Sequence, residues 1–235
     1  MMSCMPRVPS EERLASLAQA ATRVFGRLGY RGTRMADVAS EAGMSSGSVF
    51  TYVESKEALF HLVFLHGFGL LDQRAPDLPL PTPEPGETVK VIEESLRTIP
   101  IPALREALRH EQPVDIAEEF RGIIEERYSI QERLWPIFAV IERSAVEIPE
   151  IEEFYFGRTR VGYFRTFAGY LEQRMGDGYL RKMPDAAVTA RLISEAISWF
   201  AWHRHEGRDA DLYDDRTARD TVVEFTSAAL LGSPR

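Results

Sequence analysis

Hydrophobic residues recur every three or four positions along most of this chain, a spacing that predicts amphipathic α-helices. No stretch alternates apolar and polar residues as a strand would, so the predicted fold class is all-α. A first helix is predicted over residues 11–28. Later helices are predicted over 56–71, 87–98, 101–111, 115–134, 149–176, 184–206 and 214–231, with one more running from a kink or break at Trp135 and Pro136 to about 147.

Between residues 33 and 52 the pattern predicts two short helices joined by a tight turn. Thr33 and Ser45 are placed to cap the two helices with their hydroxyls. Gly43 follows the last apolar position of the first helix, where a left-handed residue most easily ends it. The second helix, roughly 46–52, is too short to be stable alone, so its apolar side must pack on its neighbours.

The exposed front of that second helix carries Ser46, Gly47 and Ser48. Short hydroxyls can meet base edges or phosphate oxygens, and a glycine lets the backbone approach closely. Lys56, just beyond, can reach a DNA backbone as a point charge. The alternative is an ordinary pair of helices whose serines serve only as caps.

The stretch from residue 25 to residue 60 resembles the TetR family of bacterial regulators. The matching positions are Phe25, Gly29, Thr33, Val38, Ala39, Ala42, Gly43, Ser45, Gly47, Ser55, Lys56 and Leu59. The resemblance implies a three-helix DNA-binding head and a helical body that binds a ligand and dimerises. It also implies a palindromic double-stranded operator as partner, and usually repression relieved by a small molecule.

Carried over position by position, the family's DNA contacts fall on one set of residues in and around the second short helix. They are Thr33, Arg34, Ser45, Ser46, Gly47, Ser48, Phe50, Thr51, Tyr52 and Lys56. Two positions depart from the family pattern. Phe50 stands where the family usually has tyrosine, so a phosphate-binding hydroxyl is missing, and Val53 replaces the usual phenylalanine. These departures predict an altered affinity for DNA rather than loss of the DNA role.

The charge is unevenly spread along the 235 residues. Residues 1–56 hold seven Arg or Lys against five Asp or Glu, a net charge of +2, which leaves −10 for the rest of a chain whose total is −8. An acidic body would repel DNA and so limit nonspecific binding. One cysteine excludes an intrachain disulfide, and no apolar run approaches a membrane span. We therefore expect a soluble, cytoplasmic protein with no membrane partner.

These patterns predict three segments: a flexible tail over 1–10, a helix-turn-helix DNA-binding domain over 11–60, and an effector-binding and dimerisation domain over 61–235. The 56–71 helix, which links head to body, is predicted to act as a lever between them. A Pro-rich connector over 76–86 is expected to be extended, because Pro76, Pro79, Pro81, Pro83 and Pro85 exclude a helix. A spacer is favoured over an interaction motif for aromatic grooves.

Two further sets of residues are candidates for binding. Aromatic residues of the body could line a pocket for a small apolar or aromatic effector, and we select Trp135, Phe138, Glu142 and Phe167. The last two helices are the predicted homodimer interface, through Ile193, Ile197, Phe200, Val222, Phe225 and Ala229. The alternatives are a plain aromatic core and a monomeric helical body.

The favoured function is a DNA-binding transcriptional regulator, most simply a repressor released by its effector. The alternatives are a regulator without an effector, either constitutive or controlled by a protein partner, and a transcriptional activator. No ordered catalytic constellation, phosphate-binding loop or metal-ligand cluster is found in the sequence. We therefore expect no enzymatic activity, no cofactor and no metal.

Overall fold

The computed structural model describes residues 11–71, 77–207 and 210–232, and the predicted tail over 1–10 and Pro76 lie outside them. Within these residues all regular elements are helical, and the one pairing of β type is an isolated bridge between Val53 and Leu80. The all-α prediction is therefore confirmed. None of the described helices has both the length and the apolar character needed to cross a bilayer.

The chain packs as two compact units that do not follow its linear order. Unit 1 combines the chain up to Thr98 with Pro136–Tyr155, and unit 2 combines Ile99–Trp135 with the chain from Phe156 onward. The helix-turn-helix segment therefore belongs to a unit larger than the 11–60 domain expected from the sequence. Helix α7 (Ile116–Ala145) contributes residues to both units.

Unit 1 is built on an aromatic core. Its helices are α1 (Glu11–Gly32), α2 (Met35–Glu41), α3 (Ser46–Val49), α4 (Lys56–Gly67), α5 (Glu87–Thr98), the end of α7, and α8 (Pro149–Glu152). Phe60 contacts the rings of Phe25, Tyr30 and Phe64 at centroid distances of 5.1, 4.9 and 5.0 Å, all edge to face. This geometry is the one aromatic rings prefer, and it fixes α1 against α4.

Unit 2 is a helical bundle around a separate core. Its helices are α6 (Pro102–Ala107), the first part of α7 (Ile116–Ala145), α9 (Val161–Gly176), α10 (Ala186–Ala201) and α11 (Asp215–Leu231). A π-helical stretch, Glu153–Arg160, leads into α9, and short 3₁₀ turns follow α10. Asp214 caps α11 by accepting the amide of Thr217 at 2.9 Å, as predicted for the start of the last helix.

Of the kink or break predicted at Trp135 and Pro136, the break is wrong, because α7 continues as one helix from Ile116 to Ala145 with Pro136 inside it. A proline inside a helix removes one backbone hydrogen bond. Buried apolar side chains precede and follow it, among them Leu134, Ile137 and Val140, so packing on both sides offsets that loss. The boundary between the two units falls directly before Pro136.

Arg174 is a fully buried cation whose guanidinium binds backbone carbonyl groups at the end of α6 and in the residues that follow it. Its guanidinium donates to Glu119 at 2.9 Å and to the carbonyl oxygens of Ala107, His110 and Glu111 at 2.7 to 3.0 Å. A buried charge is tolerated only when paired and hydrogen-bonded in this way. The helix predicted to reach residue 111 ends at Ala107 because Arg174 satisfies the carbonyls that follow.

Candidate nucleic-acid interface

The start of α2 differs from the sequence prediction. Thr33 is buried, and its hydroxyl donates to the carbonyl of Gly29 at 2.7 Å, so it neither caps α2 nor lies at the surface. Arg34 occupies the cap position, and its backbone amide donates to the Asp37 carboxylate at 2.9 Å. Thr33 is therefore not available as a DNA contact, because its side chain is buried and its hydroxyl is already bound to Gly29.

The turn between α2 and α3 is the predicted glycine turn. Gly43 has a φ of 62°, the left-handed conformation that a side chain disfavours, and the next amide, of Met44, donates to Ala39 at 2.8 Å. Ser45 then caps α3, since its Oγ accepts the amide of Ser48 at 3.1 Å. Both predictions are confirmed.

Helix α3 has only four residues and ends earlier than predicted, at Val49. Val49 and Val53 are completely buried and attach this short helix to its neighbours. The hydroxyl of Thr51 turns back to the carbonyl of Ser48 at 2.7 Å, which orders the residues that follow. The geometry of this segment therefore depends on packing, not on its own helical hydrogen bonds.

The outer surface of α3 carries small side chains and is partly apolar. Ser46, Gly47 and Thr51 are exposed, and a side chain added at Gly47 would meet no atom within 4 Å. The Phe50 ring is 48% exposed, which is unusual for a phenylalanine. Hydroxyls, open backbone and an apolar ring are the groups that meet base edges, phosphates and thymine methyls in a major groove.

Tyr52 corrects the predicted contact set. It is 3% exposed, and its carbonyl accepts the amide of Leu80 at 2.8 Å. A side chain buried in this way packs inside unit 1 and cannot present its ring to a partner.

Positive charge lies beside this surface. Arg34 is exposed, and Lys56 is partly exposed at the first position of α4. The Lys56 Nζ lies 4.7 Å from the centroid of the Tyr30 ring and donates to the carbonyl of Arg31 at 3.4 Å. Burial and the hydrogen bond to Glu57 raise the pKa of Tyr30 to about 12, so the ring beneath the lysine stays neutral at physiological pH. Lys56 is thus held against Tyr30 and Arg31, at the start of the helix that follows α3 in the chain.

A contact that the sequence did not indicate lies at the kink in α1. Gly29 has a φ of 75°. Two residues later, the amide of Arg31 donates to the Glu147 carboxylate at 2.6 Å. Glu147 follows α7 by two residues and is more than a hundred positions from Arg31 in the sequence. Local patterns cannot reveal a partner at that separation.

The four predicted pocket residues do not fall in one unit. Phe138 and Glu142 belong to unit 1, whereas Trp135 and Phe167 belong to unit 2. Phe167 is 1% exposed and stacks between Tyr163 and Tyr170 at centroid distances of 6.0 and 6.2 Å. It is a residue of the unit 2 core.

The predicted interface residues divide by exposure. Ile193, Ile197 and Val222 are at most 5% exposed within a single chain, so their surface is already used by the core of unit 2. Phe200 and Ala229 are partly buried, and only Phe225, 72% exposed, offers a large free surface. Helical spacing did not show which stripe of these two helices is buried within a single chain.

Among the described residues, no group of three or more His, Cys, Asp or Glu side chains is arranged to hold a metal ion. The surface around α3 instead combines exposed hydroxyls, an open backbone at Gly47 and the exposed ring of Phe50, and the cations Arg34 and Lys56 flank α3 in the sequence. Such a surface can recognise a polyanion with patterned edges.

Comparison with known proteins agrees with this geometry. Residues 17–63 match the family model described as bacterial regulatory proteins, tetR family. The chain is 38% identical over 65 residues to YfiR of Bacillus subtilis (strain 168), described as an uncharacterized HTH-type transcriptional regulator. That match covers 26% of this chain and 32% of the relative, about a third of its length.

Two solved structures share the fold over nearly the whole chain. PfmR from Thermus thermophilus, a TetR family transcriptional regulator, has a TM-score of 0.55 at 16% identity, covering 97% of this chain and 100% of PfmR. AibR, solved in complex with isovaleryl coenzyme A and operator DNA, has a TM-score of 0.51 at 18% identity, covering 91% and 97%. At these identities the likeness shows the fold alone.

Replacing Ser45 tests whether its cap orders α3. Ser45→Ala is expected to destabilise the chain by about 1 kcal/mol, because the Ser48 amide loses its acceptor. Ser45→Asp keeps an acceptor and is the control. Urea denaturation measures the free energy of unfolding, and hydrogen exchange at the Ser48 amide localises the effect. Equal protection of that amide in the alanine variant and the parent would contradict the assignment.

Proposed function

Because residues 17–63 match the model of the tetR family of bacterial regulatory proteins, we propose that this chain is a sequence-specific DNA-binding transcriptional regulator of that family. The observation that carries the proposal is the exposed α3 surface, with Ser46, Gly47 and Phe50 outward and Lys56 beside it. Hydroxyls and the ring read base edges, while the cations position the head on phosphates. The description of YfiR as an HTH-type regulator and the operator DNA bound to AibR support this function.

The operator is a palindrome read by two copies of the chain. Val188, Leu192 and Trp199 repeat at helical spacing on α10 and are 68%, 65% and 40% exposed. Phe225 is 72% exposed on α11, which packs against α10. Large apolar side chains exposed together on adjacent helices are typical of a homodimer surface. A two-fold dimer presents its recognition helices to half-sites about 34–36 Å apart or a multiple of that distance.

The regulator is a repressor released by a small molecule with an apolar body and a polar group. Supporting this, Gln131 of α7 is 4% exposed, and its Nε2 donates to Ser198 at 2.9 Å. Its Oε1 has no hydrogen-bond partner among the described residues, a costly state for a buried acceptor. Rings of unit 2 such as Phe167 supply apolar surface. AibR binds isovaleryl coenzyme A, which joins a short acyl chain to a polar carrier.

Release from DNA requires that the effector bind the DNA-incompetent state more tightly than the competent one. The sequence suggested α4 as the transmitting element. A second candidate is α7, which supplies Gln131 to unit 2 and leads to Glu147 in unit 1. The contact between Glu147 and the Arg31 amide lies just before Arg34, so a change there reaches the head directly.

DNA recognition is tested first by selecting duplexes from a random pool with the purified protein. A palindrome is expected, bound with an affinity that falls steeply with salt. Lys56→Ala is expected to weaken binding similarly for all sequences and to lower the salt slope by about 1 per protomer. Lys90→Ala, which removes an exposed lysine on α5, is the charge-matched control.

In the same assay, Phe50→Tyr is expected to tighten binding a few-fold, because it restores the hydroxyl that the family pattern places on a phosphate. Equal affinity of the parent protein for every duplex would contradict sequence-specific recognition.

Oligomeric state tests the α10 surface. Leu192→Glu is expected to convert the dimer to a monomer in sedimentation equilibrium, because it places a charge within an apolar interface. Val114→Glu is the control, since Val114 is fully exposed on the loop between α6 and α7. A dimer that survives Leu192→Glu would exclude this surface.

Thermal unfolding with candidate effectors tests ligand binding. Isovaleryl coenzyme A and longer acyl thioesters are compared with coenzyme A alone. A true ligand at about 100 times its Kd raises Tm by several degrees, because it binds only the folded chain. Gln131→Leu is expected to reduce that shift, and the same compound should release the selected duplex. Stabilisation without release would contradict effector control.

A further inference from the structure

Prolines occupy every second position from 79 to 85, alternating with Leu80, Thr82 and Glu84. Proline has no amide hydrogen, so this stretch can donate backbone hydrogen bonds only from the three residues between. Its fixed φ also keeps the chain extended without help from a sheet. The sequence alone favours a spacer for such a segment.

All three remaining amides are used. The Leu80 amide donates to the carbonyl of Tyr52 at 2.8 Å, and the Thr82 amide donates to the carboxylate of Glu54 at 3.1 Å. The Glu84 amide donates to the Glu87 carboxylate at 2.9 Å, at the first residue of α5. The Glu84 bond is local, but a spacer would leave the Leu80 and Thr82 amides to water, so their bonds to Tyr52 and Glu54 indicate a docked segment.

The docked segment contacts both ends of the connection between α3 and α4. The carbonyl of Leu80 accepts the amide of Glu54 at 3.0 Å, and its side chain is 8% exposed next to the buried Val53. The Thr82 hydroxyl lies 2.8 Å from the Oγ of Ser55, the residue that caps α4 by accepting the amide of Ala58. The connection between α3 and α4 and the cap of α4 are thereby both hydrogen-bonded to one extended segment.

We propose that the 79–85 segment is a positioning element for base recognition, which holds α3 in the orientation that reads DNA. This inference rests on the proposed DNA-binding function. A four-residue helix cannot keep its own direction, and Val49 and Val53 hold it only from beneath. Leu80 supplies the remaining restraint, at the point where the chain leaves α3.

The arrangement of the prolines fits this role. A docked strand leaves one edge open, and an open edge with free amides invites pairing with another chain. In the 79–85 segment the alternate positions have no amide to offer, so the segment pairs on one side only. The segment thus supports the head without becoming a site of aggregation.

Positioning has a different signature from simple stabilisation. Base contacts need an accurately placed helix, whereas phosphate contacts tolerate small shifts. Loosening α3 should therefore lower the affinity for the selected operator more than the affinity for random duplex. A residue that only stabilises the fold would affect both affinities by the same factor, through the fraction of folded protein.

The experiment compares two matched pairs of variants of the full chain. Leu80→Ala removes the buried anchor, and Leu78→Ala, at a less buried position in the same stretch, is its control. Glu54→Ala removes the acceptor of the Thr82 amide, whereas Glu54→Gln removes the same charge and keeps an acceptor oxygen. The readout is the ratio of affinities for the selected operator and for random duplex at one salt concentration.

Leu80→Ala is expected to lower this ratio about ten-fold, which is comparable to the effect of a single mismatched base pair in the operator. Glu54→Ala should give a lower ratio than Glu54→Gln, and Leu78→Ala should equal the parent. Hydrogen exchange at the amides of Glu54 and Leu80 should accelerate in Leu80→Ala.

Unchanged ratios in both Leu80→Ala and Glu54→Ala would overturn the positioning role while leaving the DNA-binding function intact. If Leu80→Ala fails to fold, the two Glu54 variants decide the question, because their side chains are exposed and their folds are expected to persist. A parent protein that binds all duplexes equally would instead refute the proposed function itself.

Discussion

The candidate DNA surface depends on one constraint, which is that α3 is too short to be stable by itself. Its four residues contain almost no internal helical hydrogen bonds, so its orientation is set by what surrounds it. Ser45 caps its start, Val49 and Val53 anchor its inner side, and Leu80 pairs just beyond its end. The first three lie within or next to α3, whereas Leu80 lies beyond residue 60, so part of what orders α3 comes from outside the 11–60 segment.

Long-range polar contacts complete the ends of the helices. Both backbone groups of Arg31 are bound by charged side chains: its amide donates to Glu147, and its carbonyl accepts from Lys56. In unit 2, Arg174 does the same for the carbonyls beyond α6. Backbone groups at helix ends must find partners, and here charged side chains distant in sequence provide them. These contacts give each unit a defined geometry that apolar packing alone would leave adjustable.

The solvent exposure of the α10 side chains distinguishes the core of unit 2 from the surface proposed for a second copy. On α10 the stripe with Ile193 and Ile197 is buried within one chain, while the stripe with Val188 and Leu192 is open. Both stripes are apolar and both repeat at helical spacing, so periodicity treats them alike. Only the packing of α10 against α9 and α11 shows which one remains exposed.

The sequence by itself determined the all-α class, the turn at Gly43, the cap at Ser45 and most helix positions, because these depend on residues a few positions apart. It failed at Thr33 and Tyr52, it did not show that the helix continues through Pro136, and it favoured a spacer for the 79–85 segment. Tertiary structure decided these because each depends on a partner distant in sequence or on burial. Local propensity is weak compared with the packing and hydrogen bonds that such partners supply.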